Sequence, residues 1–168
     1  QPGQGDRRDQ EDGSRAGALS EFVEQHFRYD DDPDLPGWKR WQMLDQGRFN
    51  GFIGALSVKR DGKVARVRTT FRHEHSNLRD HIHGGALAGF IDMALFAAGR
   101  SFGVLSGPAS TLDMSIQFIT GGAIGVPTEA HIELLRETGR LLFLRGVVVQ
   151  DEVMVASFLG TIRKPSQK

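Results

Sequence analysis

Residues 83–92 read His-Gly-Gly-Ala-Leu-Ala-Gly-Phe-Ile-Asp and hold two ingredients of catalysis. Between Ala86 and Ala98 every residue except Asp92 is apolar or glycine, and a helix apolar on all sides is one that its surroundings enclose. A carboxylate in such a setting persists only where something pairs with it or uses it, so Asp92 is the candidate base or nucleophile. Gly84 and Gly85 supply the second ingredient. The first N–H groups of a helix lack intrahelical partners and carry the positive end of its dipole, and glycine lets a ligand approach that backbone closely. A carbonyl resting there would have its developing oxyanion stabilised.

The two ingredients do not meet within one chain. Asp92 lies eight residues beyond Gly84, roughly 12 Å at the helical rise. The geometry closes if a second copy of the helix runs antiparallel beside the first and brings each Asp92 to its partner's glycines. A homodimer with shared sites is the expectation.

The elements that must position these residues follow from composition and period. Residues 1–17 are rich in Gly, Asp, Arg and Gln and nearly free of apolar side chains, which predicts a flexible tail. Residues 18–47 read as an extension of helix and connector. Within it, Phe22, Val23, His26 and Phe27 have helical spacing over 20–29, the prolines and aspartates of 30–37 form a connector, and Trp38, Trp41, Met43 and Leu44 follow as hydrophobic cover. Residues 48–168 form the main domain. From Phe49 the apolar period is two, and Phe52–Val58 and Lys63–Phe71 flank a turn at Asp61-Gly62. The helix runs from Gly84 to about Gly103. Strands are predicted near Ser110–Thr120, Glu129–Arg136, Leu141–Gln150 and Val153–Arg163. This order predicts an α+β fold in which one antiparallel sheet wraps a long central helix.

The ordered set Asn77, His83-Gly84-Gly85, Asp92 and Thr111-Leu112-Asp113-Met114 resembles the hotdog-fold acyl-CoA thioesterases of the PaaI type, over roughly residues 48–163. His-Gly-Gly alone is a weak signal; the ordered set is far more specific. The resemblance implies that Asn77 and His83 hold the substrate end of the site and that the glycine after the histidine offers the oxyanion N–H. It also implies that Asp92, from the other subunit, activates water or attacks directly, helped by Thr111. The implied substrate is acyl-CoA, with no cofactor or metal, in a homodimer or a dimer of dimers. Arg136 and Arg140, with Arg145, Arg163 and Lys164, fall where a basic rim for the CoA phosphates could form, and Leu87, Phe90 and Phe118 are candidates for the acyl pocket. Two other readings remain open: a hotdog dehydratase, and a non-catalytic acyl-CoA-binding module on the same fold.

Plainer roles compete at each position. Asn77 suits a turn, His83 a helix cap, Thr111 any strand, and Asp92 a core acid bonded to the Thr111 hydroxyl. Asp113 falls on the same strand face as Thr111, without an assigned role. His73, His75, His81 and His83 crowd eleven residues, but no acid of suitable spacing accompanies them, so metal binding is not expected and the first three read as exposed loop histidines.

Composition narrows the partners. A formal net charge of zero gives no bias toward nucleic acid, and the absence of cysteine removes disulfides, thiolate metal sites and a thiol nucleophile. No apolar run reaches membrane-spanning length and the first residues carry no signal-peptide core, so no membrane association and a cytoplasmic location are expected.

Overall fold

The computed structural model describes residues 17, 18 and 21–165. The tail expected over 1–17 lies, except for Gly17, outside the described residues. One eight-stranded antiparallel sheet wraps the central helix Gly84–Ser101. Its strands are β1 (Phe27–Asp31), β2 (Lys39–Met43), β3 (Leu56–Asp61), β4 (Val64–Thr70), β5 (Ser110–Phe118), β6 (Pro127–Glu137), β7 (Leu141–Gln150) and β8 (Val153–Arg163), in the sheet order β1-β2-β3-β4-β6-β7-β8-β5. This is the hotdog architecture.

The core sits between helix and sheet. Leu87, Phe90, Ile91, Ala94, Leu95 and Ala98 of the helix meet Val58, Ala65, Val67, Ala130, Ile132 and Leu144 of the strands, all nearly or fully buried. The strand residues alternate, as one-sided burial requires: Ala65 and Val67 face in, Arg66 and Arg68 face out. The helix is not enclosed on every side. Gly85 is exposed and Ala88, Asp92 and Phe96 are only half-buried, so part of the stripe away from the sheet is left open by its own chain, while the Phe49 ring covers Gly89.

The stretch 18–47 is more than helix and connector. Residues 21–26 are helical, but at Phe27 the chain enters β1, which pairs with β2 in register Phe27↔Met43 to Asp31↔Lys39, and β2 pairs in turn with β3. The reason is the short alternation Phe27-Arg28-Tyr29-Asp30, which pairing with β2 exploits and which overrides the helical spacing upstream. Phe27 lies 4.8 Å from Trp41, and Tyr29 lies under the Arg100 guanidinium at the helix C-terminus. Trp38 is buried beneath the guanidinium groups of Arg66 and Arg68, with centroid distances of 5.2 and 5.1 Å. Both arginines bond Glu129, as does His131. The extension is thus sewn to both faces of the sheet.

A second departure concerns Phe49. Residues Phe49–Ile53 form a short helix instead of the start of a strand, because Phe49, Phe52 and Ile53 have helical spacing and Gly51 comes too close to the Gln46 carbonyl for any side chain.

Candidate active site

The site is built around the start of the central helix. The loop before it closes on itself: Asn77 N–H donates to the His81 carbonyl at 2.8 Å, and Asn77 Oδ1 accepts from the backbone N–H of Arg79 at 2.8 Å and of His81 at 3.3 Å. Asp80 takes a left-handed conformation with φ 57°, which a short polar side chain tolerates. The Asn77 side-chain oxygen is therefore spent on the turn. The loop is fastened below by Ile82 N–H to the Gly122 carbonyl and His83 N–H to the His75 carbonyl.

His83 is the N-cap. Its Nδ1 accepts the Gly85 N–H at 2.9 Å, so the ring proton resides on Nε2. The two glycine amides thereby differ. Gly85 is occupied by the cap, while Gly84 has no acceptor among the described residues and is the amide open to a ligand. Beside it lies an open cleft of about 380 Å³, lined among others by Asn77, Arg79, His81, Leu87, Phe118 and Thr120. Phe118 is 57% exposed, and its ring edge is 3.6 Å from where a side chain on Gly84 would begin.

Two turns further on, the Thr111 hydroxyl of β5 donates to Asp92 Oδ1 at 2.5 Å. Both residues are half-buried and lie on the open side of the helix. The bond orients the carboxylate and leaves its second oxygen without a partner among the described residues. Asp113, two positions along, is exposed, and a register shift in the β5–β8 ladder separates it from Thr111.

The remaining expected residues scatter. Phe90 is fully buried, 5.6 Å edge-on to Phe71, and reaches no cleft. Arg136 and Arg140 are exposed at the β6–β7 turn, which adjoins the start of β5, and do not line the cleft at Gly84. His75 is not an exposed loop histidine but is 1% exposed, with Nδ1 accepting from the Arg72 N–H and Nε2 donating to the Phe52 carbonyl. Its burial follows from the path of the loop, which turns it inward between Phe52 and Phe71. Two residues near the site, Arg79 on the cleft and Phe49 on the helix, do not emerge from the motif pattern. Arg79 carries no sequence signal beyond its charge, whereas the helical spacing of Phe49, Phe52 and Ile53 is a signal for the second. Among the described residues no group of three acidic or histidine side chains is placed to hold a metal. No helix there is long and apolar enough to cross a membrane.

A sheet-wrapped helix with an open N-terminal amide and a carboxylate two turns on places these groups on a hotdog fold. Residues 80–157 match the family model described as Thioesterase superfamily. Among solved structures, a point mutant of the phenylacetic acid degradation protein PaaI from Thermus thermophilus is similar at 27% identity and TM-score 0.56, covering 66% of this chain and 93% of its own. A conserved protein from Pseudomonas aeruginosa matches at 26% identity and TM-score 0.60, over 73% of this chain and 98% of its own. A hypothetical thioesterase from Streptococcus pneumoniae, solved with coenzyme A, shares the fold at 18% identity and TM-score 0.58, over 67% and 88%. No curated protein matches the chain. Over residues 80–157 the chain is similar to the thioesterase superfamily, with PaaI-type proteins among its structural relatives, and this supports an enzyme that acts as a thioesterase.

Proposed function

We propose that this protein hydrolyses acyl-CoA thioesters at sites shared between two copies of the chain. The observation that carries the reading is the separation of the open Gly84 amide from the Asp92–Thr111 pair, roughly 12 Å along one rigid helix. One copy cannot bring both to one carbonyl. The open apolar stripe around Asp92 and the free outer edge of β5, which bears the exposed Leu112, give a second copy a surface on which to dock antiparallel.

In such a site the thioester oxygen accepts from the Gly84 N–H of one subunit. Asp92 of the other, held by Thr111, takes a proton from water as the water oxygen attacks the carbonyl carbon. The helix terminus stabilises the oxyanion of the tetrahedral intermediate. Collapse breaks the carbon–sulfur bond, expels the CoA thiolate and leaves the free carboxylic acid. The proton on Asp92 is then available to the departing sulfur. His83 serves by fixing the helix start, and its imidazole can swing off Gly85 to offer that amide as a second donor. Asn77 shapes the loop that carries Arg79 and His81 to the cleft, where the Arg79 charge and the donors of both side chains suit the polar arm of CoA. Direct attack by Asp92, with a mixed anhydride intermediate, uses the same geometry. Coenzyme A in the Streptococcus pneumoniae relative supports the choice of carrier.

Following free thiol with a panel of acyl-CoAs tests the reading. Turnover of at least one member that vanishes in Asp92→Asn is expected. A folded parent that releases no CoA from any of them contradicts it.

A further inference from the structure

Building on the hydrolase reading, we propose that Phe49 sets the acyl specificity of the enzyme, its ring forming the wall against which the acyl group packs. The position comes first. Gly89 precedes Asp92 by three residues and so shares its helix face. The Phe49 ring is seated directly on this glycine: a side chain begun there would lie 2.6 Å from Cζ and 2.7 Å from Cε1. Only glycine lets an aromatic ring come this close to the helix beside the catalytic acid.

Exposure is the second observation. Phe49 is 56% and Phe52 44% exposed, with ring centroids 6.3 Å apart. They border the open helix stripe, where Asp92 is the one ionisable group between Gly85 and Phe96. The cleft at Gly84 mixes Asn77, Arg79 and His81 with Leu87 and Phe118, so its polar part suits the amides and phosphates of CoA, while the stripe beside Asp92 adds the exposed Phe49 and Phe52 rings and suits an apolar acyl group.

The short helix that carries the wall is anchored through Phe52. The Phe52 carbonyl accepts from His75 Nε2 at 2.7 Å and from Arg72 Nη2 at 2.9 Å, and the Phe52 ring meets the buried His75 ring at 4.7 Å. With Phe52 held and the Phe49 ring seated on Gly89, the pocket has a definite end. Acyl groups that stop at Phe49 fit, and longer ones collide with it.

The test compares kcat/KM for acetyl-, hexanoyl- and decanoyl-CoA in the parent, Phe49→Ala and Phe49→Trp, with dimer mass and Tm measured alongside. Phe49→Ala is expected to raise the decanoyl-to-hexanoyl ratio about tenfold, and Phe49→Trp to lower it by a similar factor, the size of effect that pocket volume gives. A ratio unchanged within about twofold in both variants overturns the assignment. So does an equal fall on all three substrates with loss of dimer, which would make Phe49 an interface residue. Should Phe49→Ala not fold, the opposite shift in Phe49→Trp decides alone. A parent inactive on every thioester overturns the hydrolase reading itself, and the wall with it, which separates that failure from an active parent with unmoved selectivity.

Discussion

Replacing Gly84 with proline removes one hydrogen-bond donor and little else. Gly84 is the first helical residue, the position where proline is best tolerated, since its missing N–H has no intrahelical acceptor. The residue before a proline must be extended, and His83 already is, with φ −61° and ψ 135°. The nearest neighbour of an added side chain is the Phe118 ring at 3.6 Å, an ordinary contact. The fold should therefore survive, with Tm within a few degrees of the parent, given about 2–4 °C per kcal/mol at this size. Catalysis should not survive intact. Loss of one oxyanion donor costs about 10²–10³ in kcat, or about 3–4 kcal/mol of transition-state stabilisation. The Gly85→Pro variant makes the contrast, because it removes the N–H bonded to His83 Nδ1 and so costs a cap, about 0.5–2 kcal/mol of stability. The assay is initial-rate CoA release at saturating substrate, with Tm by calorimetry. A folded Gly84→Pro enzyme turning over at the parental rate would refute the assignment of the open amide.

Three further outcomes follow from the same geometry. Asp92→Asn should lower kcat about 10²–10⁴-fold, the range of a lost general base, with the Thr111 bond kept to a neutral acceptor, so that Tm moves little; a near-parental rate would remove Asp92 from the mechanism. Thr111→Val should cost less, about 1 kcal/mol of stability from one lost bond together with a measurable fall in kcat, and kinetics unchanged at reduced Tm would mark the hydroxyl as structural only. Glu129 tests the outer face of the sheet: burial pushes its carboxyl up, but hydrogen bonds from Arg66, His131 and Arg68 and the Arg66 charge prevail and bring it down to about 2 from 4.5. Because the folded value is the lower one, its contribution, on the order of 3 kcal/mol, is fully present above about pH 4.5 and lost as pH falls toward 2. Urea unfolding of the parent should weaken over that window more than that of Glu129→Gln, and parallel pH profiles would contradict the network.

Long, strongly patterned segments are legible in the amino-acid sequence itself. The helix from Gly84 and the strands Leu141–Gln150 and Val153–Arg163 begin where residue pattern places them, because many periodic residues and a turn signal agree on each. The stretch 18–47 is not legible in this way, since β1 and β2 have five residues apiece and too few alternations to outweigh the helical spacing before them. Within the candidate site, residue types single out Asp92 and the glycines. Which glycine amide is open depends on the His83 ring rotating back onto Gly85, and that is a rotamer, which no residue type encodes. The four clustered histidines are alike in sequence, and only the tertiary path separates the buried His75 from the exposed His73 and His81.

The shared site is tested most directly by mixing two inactive variants. Asp92→Asn lacks the base and Gly84→Pro lacks the donor, so a heterodimer holds one site with both defects and one with neither. With random exchange of equal amounts, about half the dimers are mixed and about a quarter of all sites are intact, so activity should return to about 25% of the parent. A mixture that stays inactive, with subunit exchange demonstrated by mass spectrometry of the dimers, would contradict catalysis across two chains.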